Sequence, residues 1–141
     1  MVEAEEFGPL GAEQARTALE RILFVDDDPE QCELTALVLA ELGGFRVEAC
    51  RGLDEATRAA QDFRPDLLLL DLDLGDASGP EVLAAVRKLP GLDRVPAVFL
   101  TGWRSVPSLV QDQALAVLTK PVGPAELCDR LTAAWAEHRN R

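Results

Sequence analysis

Tyrosine is missing from this chain altogether, histidine occurs once, and cysteine occurs three times among 141 residues. Cys32, Cys50 and Cys128 are an odd number at wide spacings, with no CxxC pair and no clustered histidine, which argues against a disulfide framework and against a zinc site. They read as buried thiols in a reducing compartment. Positive charge is scarce as well: 14 Lys and Arg stand against 25 Asp and Glu, a formal net charge of -11. Long-range attraction to nucleic acid or to anionic lipid is therefore not expected, whereas cations, metal ions included, suit the chain better. The opening MVEAEEFGPLG is acidic where a signal peptide would be basic, and no apolar run approaches membrane-spanning length. These absences place the protein in the cytoplasm.

With 48% hydrophobic residues, the chain has enough apolar material for one domain with a real core. Residues 1–20 stand apart, broken early by Gly8, Pro9 and Gly11 and then rich in helix formers, and read as an extension or linker. From Arg21 the chain alternates between short apolar runs and longer helix-periodic stretches. ILFV (22–25) predicts a buried strand, and Asp28, Pro29 and Gln31 predict a capped helix up to Leu42, ended by Gly43 and Gly44. A second strand is expected at 45–50 and a second helix at 53–63, with a turn at Arg64-Pro65-Asp66. LLLLDLDL from Leu67 has the unbroken apolar character of a central strand buried on both faces. A third helix (80–89), strands at 95–101 and 114–119, and a last helix opening near Pro124 complete a domain spanning 21–139. This order implies a three-layer α/β fold, a doubly wound five-stranded parallel sheet with helices on both faces.

In such sheets ligands bind beyond the C-terminal ends of the strands. Asp26, Asp27 and Asp28 follow strand 1, Asp71 and Asp73 follow strand 3, Thr101 follows strand 4, and Lys120-Pro121 follows strand 5. Carboxylates converging from two strands repel unless a cation lies between them, and Mg2+ takes an oxygen donor set of this kind. The set offers a carboxylate nucleophile, a metal to neutralise a transferring phosphoryl group, and Lys120 and Thr101 to hold its other oxygens. Phosphoryl transfer to a carboxylate is the chemistry these residues suit. Asp28 is set aside as a helix cap; Asp76 and Ser78 read as loop polar groups, and His138 as a solvated residue near the terminus.

VDDDPE, LLLLDLDLGDASG, VFLTG and LTKP resemble the motifs of response-regulator receiver domains over residues 21–139, a fold of flavodoxin-like type. The separations Asp26 to Asp71, 45 residues, and Asp71 to Thr101, 30 residues, are usual for that family. The resemblance implies that Asp71 is the phosphoacceptor and Asp27 a direct ligand of Mg2+ or Mn2+, with Asp26 acting largely through water. It further implies that Asp73 lends its backbone carbonyl to the metal, that Thr101 is the switch hydroxyl, that Lys120 pairs with the phosphoryl group, and that the Lys120-Pro121 bond is cis. A sensor histidine kinase or a histidine phosphotransfer protein would be the phosphodonor, and the surface of helix 4, strand 5 and helix 5 would carry the output.

Three positions depart from the family pattern. Gly75 stands where proline is usual, Val117 replaces the switch aromatic, and the stretch from Thr101 to Lys120 is short and contains Pro107, so helix 4 is expected to be short or irregular. The absence of an appended output segment resembles single-domain regulators of the chemotaxis type, and a receiver within a larger hybrid kinase would read the same way. Other readings fit less well. A haloacid-dehalogenase-type phosphohydrolase would use an Asp71-Leu72-Asp73 motif, but that motif belongs after its first strand; a calcium loop would need glutamate where Val82 stands. A degenerate receiver serving as an interaction scaffold would not need the complete pocket.

Overall fold

The structure is a computed structural model that describes residues 18–140, so most of the 1–20 extension, including Glu3, Glu5 and Glu6, lies outside the described residues. The elements run β1 (Arg21–Val25), α1 (Pro29–Glu41), β2 (Arg46–Cys50), α2 (Leu53–Phe63), β3 (Leu67–Asp71), α3 (Gly79–Arg87), β4 (Ala97–Thr101), α4 (Ser108–Gln111), β5 (Ala116–Thr119) and α5 (Pro124–Arg139). All strand pairs are parallel, in the order β2-β1-β3-β4-β5. The order reverses between β1 and β3, and there the loops of neighbouring strands diverge to opposite faces and leave a crevice.

Side-chain alternation along each strand builds the two halves of the core. Leu23, Val25, Leu68, Leu70 and Phe99 point to the face covered by α2 and α3, where Ala56, Ala60, Val82 and Val86 meet them. Ile22, Phe24, Leu67, Leu69, Val98 and Leu100 point to the opposite face, against Leu39 of α1 and Leu127 and Leu131 of α5. Every residue of β3 and β4 is buried, which is why those runs show no polar alternation. The three cysteines are free and buried, as their spacing suggested.

Several boundaries differ from the sequence expectation. Strand β4 begins at Ala97 rather than 95, because Pro96 has no N–H for the ladder, although its carbonyl still accepts from Leu68 N at 2.9 Å. Strands β2 and β5 start at Arg46 and Ala116, and α3 ends at Arg87, its last turn tightening into bonds from Lys88 N to the Ala85 carbonyl and from Leu89 N to the Val86 carbonyl. Helix α4 is a single turn after Pro107, as the short segment implied. The side chain of Asp28 caps α1 by accepting from the amides of Glu30 and Gln31 at 3.0 and 3.4 Å. The capping box expected with Gln31 is replaced: the Asp28 amide instead donates to Asp26 Oδ1 at 3.0 Å, which ties the cap to the strand end.

Ser78 is more than a loop polar group. Its hydroxyl accepts from Glu81 N while Glu81 returns a carboxylate to Ser78 N, a reciprocal cap on α3. His138 is half-buried rather than solvated, its ring centroid 5.9 Å from that of Trp135. Among the described residues no helix is long and apolar enough to cross a membrane.

Candidate functional site

Register brings the polar strand ends level with one another. Val25 is paired with Leu70, Asp71 with Leu100, and Thr101 with Thr119, so the residues that follow β1, β3, β4 and β5 emerge at one rim. Asp26 leaves β1 with its amide still held by the Cys50 carbonyl at 3.0 Å, and Lys120 leaves β5 with its amide on the Thr101 carbonyl at 2.7 Å. The backbone therefore fixes both side chains before any ligand arrives. The Lys120-Pro121 peptide is cis, as the resemblance implied.

Carboxylate oxygens of Asp26, Asp27 and Asp71 lie within 4.8 Å of one another. Lys120 Nζ reaches into this group, 2.9 Å from Asp71 Oδ2 and 3.5 Å from Asp26 Oδ2. Asp26 is only 2% exposed and Asp71 9%, whereas Asp27 faces solvent. Burial pushes the Asp26 carboxyl above its ordinary value; the neighbouring Asp71 charge adds to this, while the Asp28 amide and Lys120 oppose it. At Lys120 burial works against the charge, but the hydrogen bond to Asp71 and the fields of Asp26 and Asp71 outweigh it and raise the ammonium above its usual range. Nearby, burial pushes the Cys50 thiol up to about 12, so it stays protonated and inert.

The loop after β3 closes one side of the site. Asp73 N donates to Asp71 Oδ1 at 3.2 Å, and Asp73 turns its own carboxylate back to accept from Gly75 N at 3.1 Å. Gly75 has φ +84°, a conformation closed to proline, so this loop needs glycine where the resemblance led to an expectation of proline. That backbone is pinned by the Asp73 bond and by a bridge between Asp73 and Ser78. Gly79 has a packing reason: a Cβ there would stand 2.9 Å from the Asp71 carbonyl oxygen and 3.3 Å from the Phe99 ring.

On the opposite side Thr101 is 1% exposed, and its Oγ1 accepts from Trp103 N at 2.9 Å. Trp103 itself is 46% exposed, so it is not a core residue of the α4 region. Val117 is half-buried against the α2–α3 half of the core and lacks the size to act as a swinging ring. The structure thus gathers Asp26, Asp27, Asp71 and Lys120, sets Thr101 at the end of the adjoining strand, and leaves Asp28 outside as a cap. Sequence reading missed the Ser78–Glu81 cap and the Trp103–Thr101 bond. The first was legible in the S-x-x-E spacing; the second depends on how the loop turns.

The donor set suits a hard divalent cation. It is made of oxygen alone, it combines two largely buried carboxylates with one open to solvent, and the one ammonium of Lys120, paired with Asp26 and Asp71, does not balance three carboxylates.

Comparison with known proteins agrees with this architecture. The model of the response regulator receiver domain matches residues 22–132. The DNA-binding response regulator MtrA of Mycolicibacterium smegmatis is 36% identical over 83% of this chain, which spans about half (51%) of that relative's length. An uncharacterized 14.6 kDa protein of Leptolyngbya boryana is 33% identical over 75% of this chain and 82% of its own. Among solved structures, a CheY-like receiver domain from Methanospirillum hungatei superposes with a TM-score of 0.73 at 29% identity, covering 87% of this chain and 98% of that one. The Vibrio cholerae chemotaxis protein CheY4 gives 0.75 at 27% identity over 83% and 99%. With its matched segment covering most of the chain and its strand order that of the same fold, the protein belongs to the response regulator receiver domain family, a signalling family of two-component systems.

Proposed function

We propose that Asp71 accepts a phosphoryl group from a sensor histidine kinase or a histidine phosphotransfer protein, and that this domain, residues 21–139 behind a 1–20 extension, relays the change to a protein partner in the cytoplasm. One observation carries the reading: three carboxylates from the ends of β1 and β3 lie within 4.8 Å of one another with Lys120 Nζ 2.9 Å from Asp71. An Asp71 oxygen attacks phosphorus as the phosphorus–nitrogen bond of the donor imidazole breaks, and the imidazole keeps that bonding pair. Lys120 then turns from Asp71 to a phosphoryl oxygen and offsets its charge, while the Thr101 hydroxyl holds another. Asp26, Asp27, Asp71 and the Asp73 carbonyl would hold Mg2+ or Mn2+, which when bound supplies positive charge for the transferring group. The buried Asp26 orients the rim through its bond to the Asp28 amide.

The proposed role is that of an acceptor and switch rather than an enzyme with an external substrate; its own chemistry is self-catalysed transfer and slow hydrolysis of the aspartyl phosphate. Output is assigned to the α4, β5 and α5 surface, which Thr101 and Lys120 adjoin. The acidic balance of the chain argues against nucleic-acid or membrane partners. The deciding experiment is treatment with a small-molecule phosphodonor and Mg2+, followed by mass spectrometry. An acid-labile adduct on Asp71 that disappears in Asp71→Asn supports the assignment. Labelling that persists at another aspartate contradicts it, and a chain that never labels would be the scaffold-only receiver.

A further inference from the structure

At the N-terminal end of the sheet, away from the acceptor rim, a cleft of ≈ 750 Å³ opens between β1, β2, the end of α2 and the loop before β4. Arg21, Arg46 and Arg64 line it. Arg21 and Arg46 are register partners on the neighbouring parallel strands β1 and β2, so their side chains leave one face with the backbones about 4.8 Å apart. Two like charges so placed repel unless an anion lies between them. Arg21 is held, its Nε donating to the Arg64 carbonyl at 2.9 Å and its Nη2 lying 3.6 Å from Asp66 Oδ1. Arg64 is held as well, in a left-handed backbone conformation (φ 54°) with Nη1 donating to the Pro90 carbonyl at 2.8 Å. No ion pair joins Arg46 among the described residues.

The cleft carries acids too, Glu48, Asp62 and Asp66. Asp66 is already engaged, its Oδ2 accepting from the amides of Glu20 and Arg21 at 3.2 and 2.9 Å. Glu48 and Asp62 are exposed and join no ion pair among the described residues. Ala59, the half-buried Phe63 and the buried Leu92 add an apolar wall. Unengaged charge of both signs decides the ligand. Three bases and three acids balance locally, and the acidic rim lies a five-residue strand away, about 17 Å and beyond a Debye length, so its field is largely screened. A phosphate dianion would meet Glu48 and Asp62, and a polyamine would meet Arg46, whereas a zwitterion answers both. We propose that this cleft binds a free α-amino acid with an apolar side chain, its carboxylate bridging Arg21 and Arg46, its ammonium on Glu48 and Asp62, and its side chain against Ala59 and Phe63. Such a site is a small-molecule input at the end of the sheet away from Asp71.

The test uses the full chain and probes that differ in charge: L-phenylalanine, hydrocinnamate, which lacks the ammonium, and phenethylamine, which lacks the carboxylate. An NMR titration of the backbone amides reads affinity and place together. L-Phenylalanine should bind with a dissociation constant of about 1 mM or tighter, shifting residues of the α2–β3 turn and leaving Asp26, Asp27 and Asp71 unmoved. Each probe with one charge should bind about tenfold or more weakly. Arg46→Ala, and separately Glu48→Gln combined with Asp62→Asn, should each weaken L-phenylalanine by about tenfold, and in Arg46→Ala its advantage over phenethylamine should vanish. All three positions are exposed and outside any ion pair described, and urea unfolding checks that the variants keep the fold. No shift at the α2–β3 turn with L-phenylalanine or L-leucine at about 10 mM overturns the proposal, as does unchanged binding to both variants. Hydrocinnamate or inorganic phosphate binding there as tightly as L-phenylalanine also overturns it, since the cleft would then be a site for anions alone.

Discussion

Lys120 Nζ donates to Asp71 Oδ2 at 2.9 Å while standing 3.5 Å from Asp26 Oδ2, so one ammonium serves two largely buried carboxylates brought together by different strands. Lys120→Ala leaves both acids without that partner. Removing one member of a buried pair costs several kcal/mol and of an exposed pair less than one, and Lys120 is one-third exposed, so a loss of about 1–2 kcal/mol in urea unfolding at neutral pH is expected. The Lys120 value is raised on folding, so its contribution is fully present below the ordinary lysine range and is lost as pH rises through the raised value. From neutrality upward the gap between wild type and variant should therefore close only in strong alkali; a gap that closes just above neutrality would reject the pairing.

Asp26 predicts a dependence of the same sign in a lower pH window. Its folded value lies above the unfolded one, first because of burial, so between the two the folded chain holds a proton that the unfolded chain has released. Stability contributed there is present at lower pH and falls as pH rises through the folded value. Asp26→Asn removes this fall, and the metal-free variant should gain on wild type as pH rises from the ordinary carboxylate range towards neutrality. Paired unfolding curves across that range read the difference, and a constant offset would dismiss Asp26 as the source.

Crowding of Asp26, Asp27 and Asp71 makes metal binding a stabilising event, because the unfolded chain has no such cluster. At a hundredfold excess over the dissociation constant Mg2+ should contribute about 2.7 kcal/mol, which for a domain of this size raises Tm by roughly 5–10 °C. Asp27→Ala, exposed and free of any core role, should remove most of the rise without changing the metal-free Tm by more than a degree or two. An unchanged Tm at saturating Mg2+ would take away the main physical support for the acidic-pocket assignment.

Trp103 offers a readout for a switch that has Val117 where an aromatic is usual. Its amide is fixed on Thr101 Oγ1 and its indole is half in solvent, so movement of Thr101 toward a phosphoryl group must disturb it. In a Trp135→Phe background, beryllofluoride with Mg2+ should shift Trp103 fluorescence. Trp103→Ala should speed loss of the phosphoryl group by about fivefold, equivalent to roughly 1 kcal/mol of barrier, without moving its site. An unchanged decay rate in a folded variant would leave the indole without a shielding role.

Amino-acid order alone determined the architecture of this protein. Runs such as ILFV and LLLL read as strands buried on both sides, Pro29 after Asp28 as the opening of a helix, and strands alternating with helices as a parallel sheet whose C-terminal rim collects Asp26, Asp27, Asp71, Thr101 and Lys120. Local periodicity and local steric limits carry that information, so no distant contact was needed to read it. Contacts between segments far apart in the chain decided the rest. Short-range geometry also escaped the residue pattern: Asp26, two residues back, takes the Asp28 amide in place of Gln31, and His138 is half-buried beside Trp135, one turn away on the packed stripe of α5. Likewise only the packed structure sets Lys120 between two acids 94 and 49 residues away, raises Asp26 by burial, and sets Arg21 opposite Arg46, since charge balance and exposure are properties of neighbours in space.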